Sequence, residues 1–109
     1  METQFKKEWS PADFTKVDRK LKKFFAGKTF VNHYGKNETI PTNKNGFECC
    51  LGLPYTSSGI FACYSLSCNT NLFESKESKF YYDYAAVTES GEVVLILSDS
   101  EENTKEVSI

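Results

Sequence analysis

The sequence predicts an α+β domain in which one N-terminal amphipathic helix packs on a mostly antiparallel sheet of about five strands. Two observations predict it: an apolar stripe with a helical period near the N-terminus, and short apolar runs joined by glycine-containing turns after it. The chain has 109 residues, of which 39% are hydrophobic. Because that is the usual size of one domain, we expect residues 1–109 to form a single domain.

The helix is expected to begin after Ser10, whose hydroxyl can cap the backbone N–H of Asp13, with proline at the first helical position. Spacings of three, four, three and one residues join a set of apolar side chains into one stripe: Phe14, Val17, Leu21, Phe24 and Phe25. Gly27 is expected to end the helix, because glycine readily adopts the left-handed conformation found after helix C-termini. The stripe is therefore predicted to face the sheet.

After Gly27 the sequence predicts strands, mostly linked as hairpins. The predicted strands cover 28–34, 47–53, 60–68, 80–87 and 93–97, of which the second and third form one hairpin and the last two form another around Gly91. The predicted segments outside the sheet are two polar loops near 35–46 and 69–79 and a frayed acidic tail at 99–109.

The apolar run 93–97 is followed directly by serine and acidic residues, and residues 93–102 together resemble the short SUMO-interacting motif, which adds a strand to the edge of its partner. A continuous apolar run is also typical of an internal strand buried on both faces. Because the Gly91 turn already supplies a neighbouring strand, we expect 93–97 to be an ordinary internal strand.

Charge is unevenly distributed along the chain, whose net charge is −2. Residues 1–46 contain ten Lys/Arg and five Asp/Glu, whereas residues 47–109 contain three and ten. The two halves can partly neutralise each other, or they can form a dipolar surface that orients a partner. The candidate partner-binding residues form two acidic clusters, Glu89 with Glu92 beside the Gly91 turn, and Asp99 with Glu101 and Glu102 after the last predicted strand.

We find no Gly-rich phosphate loop, no Walker pattern and no H-E-x-x-H sequence, so we expect neither an enzyme nor a cofactor. The function we expect is that of a small non-enzymatic protein-binding module, plausibly an inhibitor of the immunity-protein or phage and viral counter-defence type. Its acidic surface would occupy a basic groove of another protein.

The alternative function is that of a regulatory or nucleic-acid-binding domain, possibly zinc-stabilised, which uses the basic helix for phosphate contacts. The helix residues concerned are Lys16, Arg19, Lys20 and Lys23. An ordinary solvated helix face explains the same residues, and the acidic net charge makes nucleic acid the less favoured partner.

Four cysteines lie within the predicted hairpin: Cys49, Cys50, Cys63 and Cys68. Their spacing departs from that of zinc knuckles, and adjacent strand residues point to opposite faces, so we expect no metal site and at least two buried thiols. A zinc site, a disulfide in an oxidising compartment and a catalytic Cys/His pair that uses His33 are the alternative interpretations.

The N-terminal residues are polar and charged, without the apolar segment of a signal peptide. No apolar run approaches the ~18 residues that span a bilayer. The sequence therefore predicts a cytoplasmic protein without membrane contact, located in the host cytoplasm if the chain is viral.

Overall fold

The computed structural model describes residues 4–39, 55–57, 61–66 and 71–109. These residues form an α+β fold in which one helix packs on an eight-stranded antiparallel sheet, which confirms the predicted class with more strands than the five expected. The elements in chain order are α1 (Pro11–Phe25), β1 (Thr29–Asn32), β2 (Asn37–Thr39), β3 (Tyr55–Ser57), β4 (Phe61–Ser65), β5 (Leu72–Phe73), β6 (Tyr81–Val87), β7 (Val93–Ser98) and β8 (Thr104–Ser108).

The N-terminus of α1 is fixed by a reciprocal capping box. The Ser10 Oγ accepts a hydrogen bond from the Asp13 backbone N–H at 3.3 Å, and the Asp13 carboxylate accepts one from the Ser10 backbone N–H at 2.9 Å. Trp9, just before the cap, packs edge-on against Phe14 with ring centroids 5.3 Å apart, which is the hydrophobic staple of such termini. The predicted start of the helix is confirmed.

The apolar face of α1 packs on the sheet as predicted. Val17, Leu21 and Phe25 are buried, and each side chain that leaves water completely stabilises the fold by about 1.5–3 kcal/mol. Gly27 follows the helix with a positive φ of 74°, in the left-handed region expected there. Within the described parts of the chain, no helix combines the length and the apolarity needed to cross a membrane.

Strand β6 lies at the centre of the sheet. Strand β7 pairs with one edge of β6 along its whole length, and β8 lies beyond β7. The opposite edge of β6 is shared, because β5 pairs with its first residue and β4 pairs nearer its end. Strands β1 and β2 continue the sheet beyond β5, and β3 continues it beyond β4.

The N-terminal segment fills the place where β4 and β6 separate. The Lys6 backbone N–H donates to the Val87 carbonyl at 2.7 Å, and the Lys6 carbonyl accepts from the Ala62 backbone N–H at 3.1 Å. Phe5 forms a bridge with Thr88 just beyond. The residues before the helix are therefore tied to the middle of the sheet.

All six residues of β7 are buried, and β7 pairs with a neighbour on both edges. This confirms the expectation of an internal strand for residues 93–97. An internal strand has both edges occupied, so this run cannot add to the sheet of another protein in the manner of a SUMO-interacting motif.

The prediction of a frayed tail at 99–109 was wrong. Thr104–Ser108 forms β8, in register with β7 from Ser98 opposite Thr104 to Val94 opposite Ser108. Alternate residues of β8 are exposed and half-buried, with Val107 among those packed against the core. This inward face is short and includes a lysine, so its period of two is weak in the sequence.

The predicted loops also contain short strands. Strand β2 lies within 35–46 and pairs with β1, while β5 lies within 69–79 and joins β1 to β6. Strand β4 pairs with β3, which the prediction had placed in a connecting loop, and the predicted strand 47–53 lies outside the described residues. A strand of two or three residues carries too little periodicity to be recognised from sequence.

Candidate binding surfaces

The turn between β7 and β8 is built around the carboxylate of Asp99. One oxygen, Oδ1, accepts the backbone N–H groups of Glu101 at 2.9 Å and Asn103 at 2.8 Å, and Oδ2 accepts the Asn103 side-chain amide at 3.1 Å. The Lys79 ammonium lies 3.6 Å from Oδ2. Asp99 is only 4% exposed, so this predicted contact residue holds the turn from inside and offers little surface to a partner.

The electrostatics of the turn agree with this structural role. Burial raises the pKa of the Asp99 carboxyl, but the hydrogen bonds from Asn103 and Glu101 outweigh it and hold the pKa below the ordinary value of 3.8. The group is therefore ionised at neutral pH, and its charge is compensated by backbone N–H dipoles and by Lys79.

Glu101 and Glu102 project from this turn, and we call these two residues the acidic tip. Both are exposed, and neither side chain forms an ion pair or hydrogen bond with the described residues. Glu102 has a positive φ of 67°, a backbone conformation that the hydrogen bonds of Asp99 keep in place. The acidic tip is thus a pair of uncompensated carboxylates on an ordered turn.

The second predicted cluster, Glu89 and Glu92, lies on the turn between β6 and β7. Gly91 has a positive φ of 92°, as expected, and the Glu92 backbone N–H donates to the Thr88 hydroxyl at 2.9 Å. Both glutamates are exposed. They lie at the opposite end of β7 from Asp99, and the seven residues from Glu92 to Asp99 span about 23 Å at ~3.3 Å per residue, so the two acidic clusters are separate.

The basic residues of α1 meet the end of β8 in an open groove. Two adjoining pockets, of about 460 and 320 Å³, share Lys20, Ser108 and Ile109 in their walls. We call this feature the lysine groove, and its four lysines are Lys16, Lys20, Lys23 and Lys28. The three helix lysines have spacings of four and three residues, which place them on one flank of α1.

The four lysines are not equally engaged. The Lys16 ammonium donates to the Gly91 carbonyl at 2.7 Å, and the Lys28 ammonium lies 4.1 Å from the centroid of the Phe24 ring. Lys20 and Lys23 make no ion pair with any described residue. The groove therefore contains two cationic groups that no acidic side chain described in the structure neutralises.

The sequence pattern predicted only part of the lysine groove. It grouped Arg19 with the helix lysines, but Arg19 lines neither pocket. Lys28 was missed, because it follows the turn after α1 and joins the row only once the chain folds back. Its one sequence signal was its place directly after Gly27 in a basic segment.

Among the cysteines, Cys63 is fully buried in β4, as expected of a small apolar strand residue, and Cys49, Cys50 and Cys68 lie outside the described residues. His33 accepts the Asn71 backbone N–H at its Nδ1 atom at 3.0 Å. In the described ranges, no three His, Cys, Asp or Glu side chains converge as metal ligands would.

Comparison of the chain with protein-family models, with curated proteins and with solved structures finds no match. The acidic tip and the lysine groove are therefore the features of this protein that bear on its function.

Proposed function

We propose that this protein is a small non-enzymatic protein-binding module whose acidic tip enters a basic groove of another protein. The observation that supports the proposal is the pair of exposed, uncompensated carboxylates on a turn that Asp99 holds in one conformation. A surface that is ordered before binding loses less conformational entropy when a partner docks. Opposite charge on the partner speeds encounter and selects against wrong partners.

The action we propose is inhibition by occupancy, as in immunity proteins and phage or viral counter-defence proteins. Grooves that bind nucleic acid are lined with cations that contact phosphates, and carboxylates presented at a rigid turn can satisfy the same cations. This step is an analogy with how such inhibitors act. The site of action in this proposal is the cytoplasm, of the host if the chain is viral.

The contact surface that we propose is smaller than the two predicted acidic clusters together. Asp99 positions the acidic tip and is not itself a contact residue, because its side chain is buried. Glu89 and Glu92 form a second, separate acidic cluster, which a partner would reach only by extending along the length of β7. The acidic tip is therefore the primary contact.

The test is a pull-down from the native host with quantitative mass spectrometry, using wild type, Glu101→Lys/Glu102→Lys and the charge-matched control Glu8→Lys/Glu77→Lys. The control residues are exposed and lie outside both acidic clusters. We expect one partner to be captured by wild type and control and lost by the tip variant. If the folded tip variant captures the same proteins as wild type, the acidic tip is not the binding surface.

A further inference from the structure

The lysine groove combines clustered positive charge with a concave surface. Lys20 and Lys23 lie one helical turn apart on the same flank of α1, and Lys28 reaches the same pocket from beyond the helix. Clustered ammonium groups repel one another. An anionic ligand that enters the groove offsets this repulsion, because several ammonium groups attract it at once. A solvated helix face carries lysines as well, whereas here Phe24, Ser108 and Ile109 form an open groove beside them.

The floor of the groove is apolar and comes from Phe24 and Ile109, both half-buried. The Phe24 ring packs edge-on against Phe25 and Tyr82 at centroid distances of 4.9 and 5.9 Å, and the Lys28 ammonium lies against it. The ring is therefore engaged on several sides. An aliphatic side chain can pack beside it, whereas a nucleic-acid base would need an open ring face for stacking.

We propose that the lysine groove binds an extended acidic segment of a partner protein, with an aliphatic side chain on Phe24 and Ile109 and carboxylates facing Lys20, Lys23 and Lys28. Alternate residues of an extended peptide lie about 6.6 Å apart on one side. Lys20 and Lys23 are three residues apart and differ by about 4.5 Å along the helix axis, and their long flexible side chains can separate the two ammonium groups to match the spacing of the peptide.

A peptide is favoured over nucleic acid for two reasons. The net charge of −2 and the acidic tip repel a long polyanion, whereas a short acidic peptide meets mainly the local field of the groove. Glu92 also lines one end of the groove beside Lys16, which limits how far a continuous row of phosphates can extend.

This inference goes beyond the proposed function and uses different residues. The acidic tip precedes Thr104 at one end of β8, whereas the groove includes Ser108 at the other end. A variant of the acidic tip leaves the lysine groove unchanged, and a variant of the groove leaves the tip unchanged. The two proposals can therefore fail independently of each other.

The test is fluorescence anisotropy with a short labelled peptide of alternating Glu and Leu. Wild type is compared with Lys20→Gln/Lys23→Gln/Lys28→Gln and with the control Lys7→Gln/Lys36→Gln/Lys76→Gln, which has the same net charge and exposed positions outside the groove. We expect the groove variant to bind about tenfold more weakly and the control to change by less than about twofold. Equal binding by the two variants would overturn the proposal.

Two further probes separate the possible occupants. Ile109→Ser is expected to weaken binding of the Glu/Leu peptide but not of poly-L-glutamate, because only the Glu/Leu peptide places an aliphatic side chain on the apolar floor of the lysine groove. Tighter binding of oligo-dT than of the peptide, lost in the groove variant, would overturn the proposal in favour of nucleic acid. Self-association of wild type in sedimentation that the groove variant abolishes would overturn it in favour of a second copy of this chain.

Discussion

The carboxylate of Asp99 acts as an internal cap for the turn between β7 and β8. Its pKa is lowered in the folded protein, so its ionised form stabilises the fold. That stabilisation is fully present above the ordinary aspartate value of 3.8 and is lost as the pH falls through the lower folded-state value. We expect Asp99→Asn to show a weaker loss of Tm than wild type between about pH 5 and pH 2.

Thermal unfolding across this pH range measures the effect, and Glu101→Gln is the control because Glu101 accepts no hydrogen bond from the described residues. Parallel Tm curves for Asp99→Asn and wild type would show that the Asp99 carboxylate does not stabilise the turn.

Trp9 belongs to the hydrophobic core but carries a buried polar atom. Its indole N–H has no acceptor among the described residues, although the ring packs on Phe14. An unsatisfied buried N–H costs about 1–3 kcal/mol, which offsets part of what the large ring contributes. We expect Trp9→Phe to destabilise by less than about 1.5 kcal/mol and Trp9→Ala by about 3–5 kcal/mol in urea unfolding. Equal losses for the two variants would contradict this account.

The helix is stabilised mainly by its buried stripe. Leu21 is completely buried between α1 and the sheet. We expect Leu21→Ala to lower the free energy of unfolding by roughly 2–5 kcal/mol, because it removes buried methyl groups and leaves a cavity. Arg19→Ala on the exposed side is the control, with an expected change within about 0.5 kcal/mol. Chemical denaturation measures both, and similar values would show that the helix does not pack as described.

Strand β8 makes the tail an ordered element. The Ile109 backbone N–H donates to the Val93 carbonyl at 3.1 Å, beyond the last paired residue of the strand. We expect this amide to exchange hydrogen more slowly in the protein than in a synthetic peptide of residues 99–109, which lacks β7. Amide exchange followed by NMR measures the ratio, and equal rates in the two molecules would mean that the tail frays.

At the level of elements, the sequence was informative where signals are local and strong. The capping box at Ser10 and the stripe through Val17 and Leu21 lie within one helix, so they predicted α1 correctly. Strand β8 was missed because its stability comes from pairing with β7, which lies outside its own sequence. The sequence pattern of one segment does not specify the neighbouring strand with which that segment will pair.

The candidate surfaces were predicted less completely, for the same reason. Glu101 and Glu102 are exposed as predicted. Asp99, in contrast, is buried and accepts three hydrogen bonds within a turn that a frayed tail would not form. The lysine groove needs α1, Lys28 and the end of β8 together, and only the helix part is visible as a sequence spacing. Surfaces formed by several elements follow from the fold and not from any one segment.

At the scale of the whole molecule, the two surfaces place opposite local charges at the two ends of β8, and the exposed Glu89 and Glu92 add negative charge at the groove end. The acidic tip lies at one end of β8, and the lysine groove lies at the other, between that strand and α1. Such a distribution orients a charged partner during approach and leaves the net charge small. A protein partner with complementary patches is therefore the occupant that both proposals have in common.

Binding of the acidic tip to a basic surface of another protein is tested by measuring the association rate constant with the captured partner as a function of salt. Wild-type association is predicted to slow markedly as NaCl rises past ~0.15 M, where the Debye length is ~8 Å. Glu101→Lys/Glu102→Lys is predicted to slow association at low salt more than it speeds dissociation, because exposed charges act mainly on encounter. Unchanged association and affinity in this variant would contradict the claim.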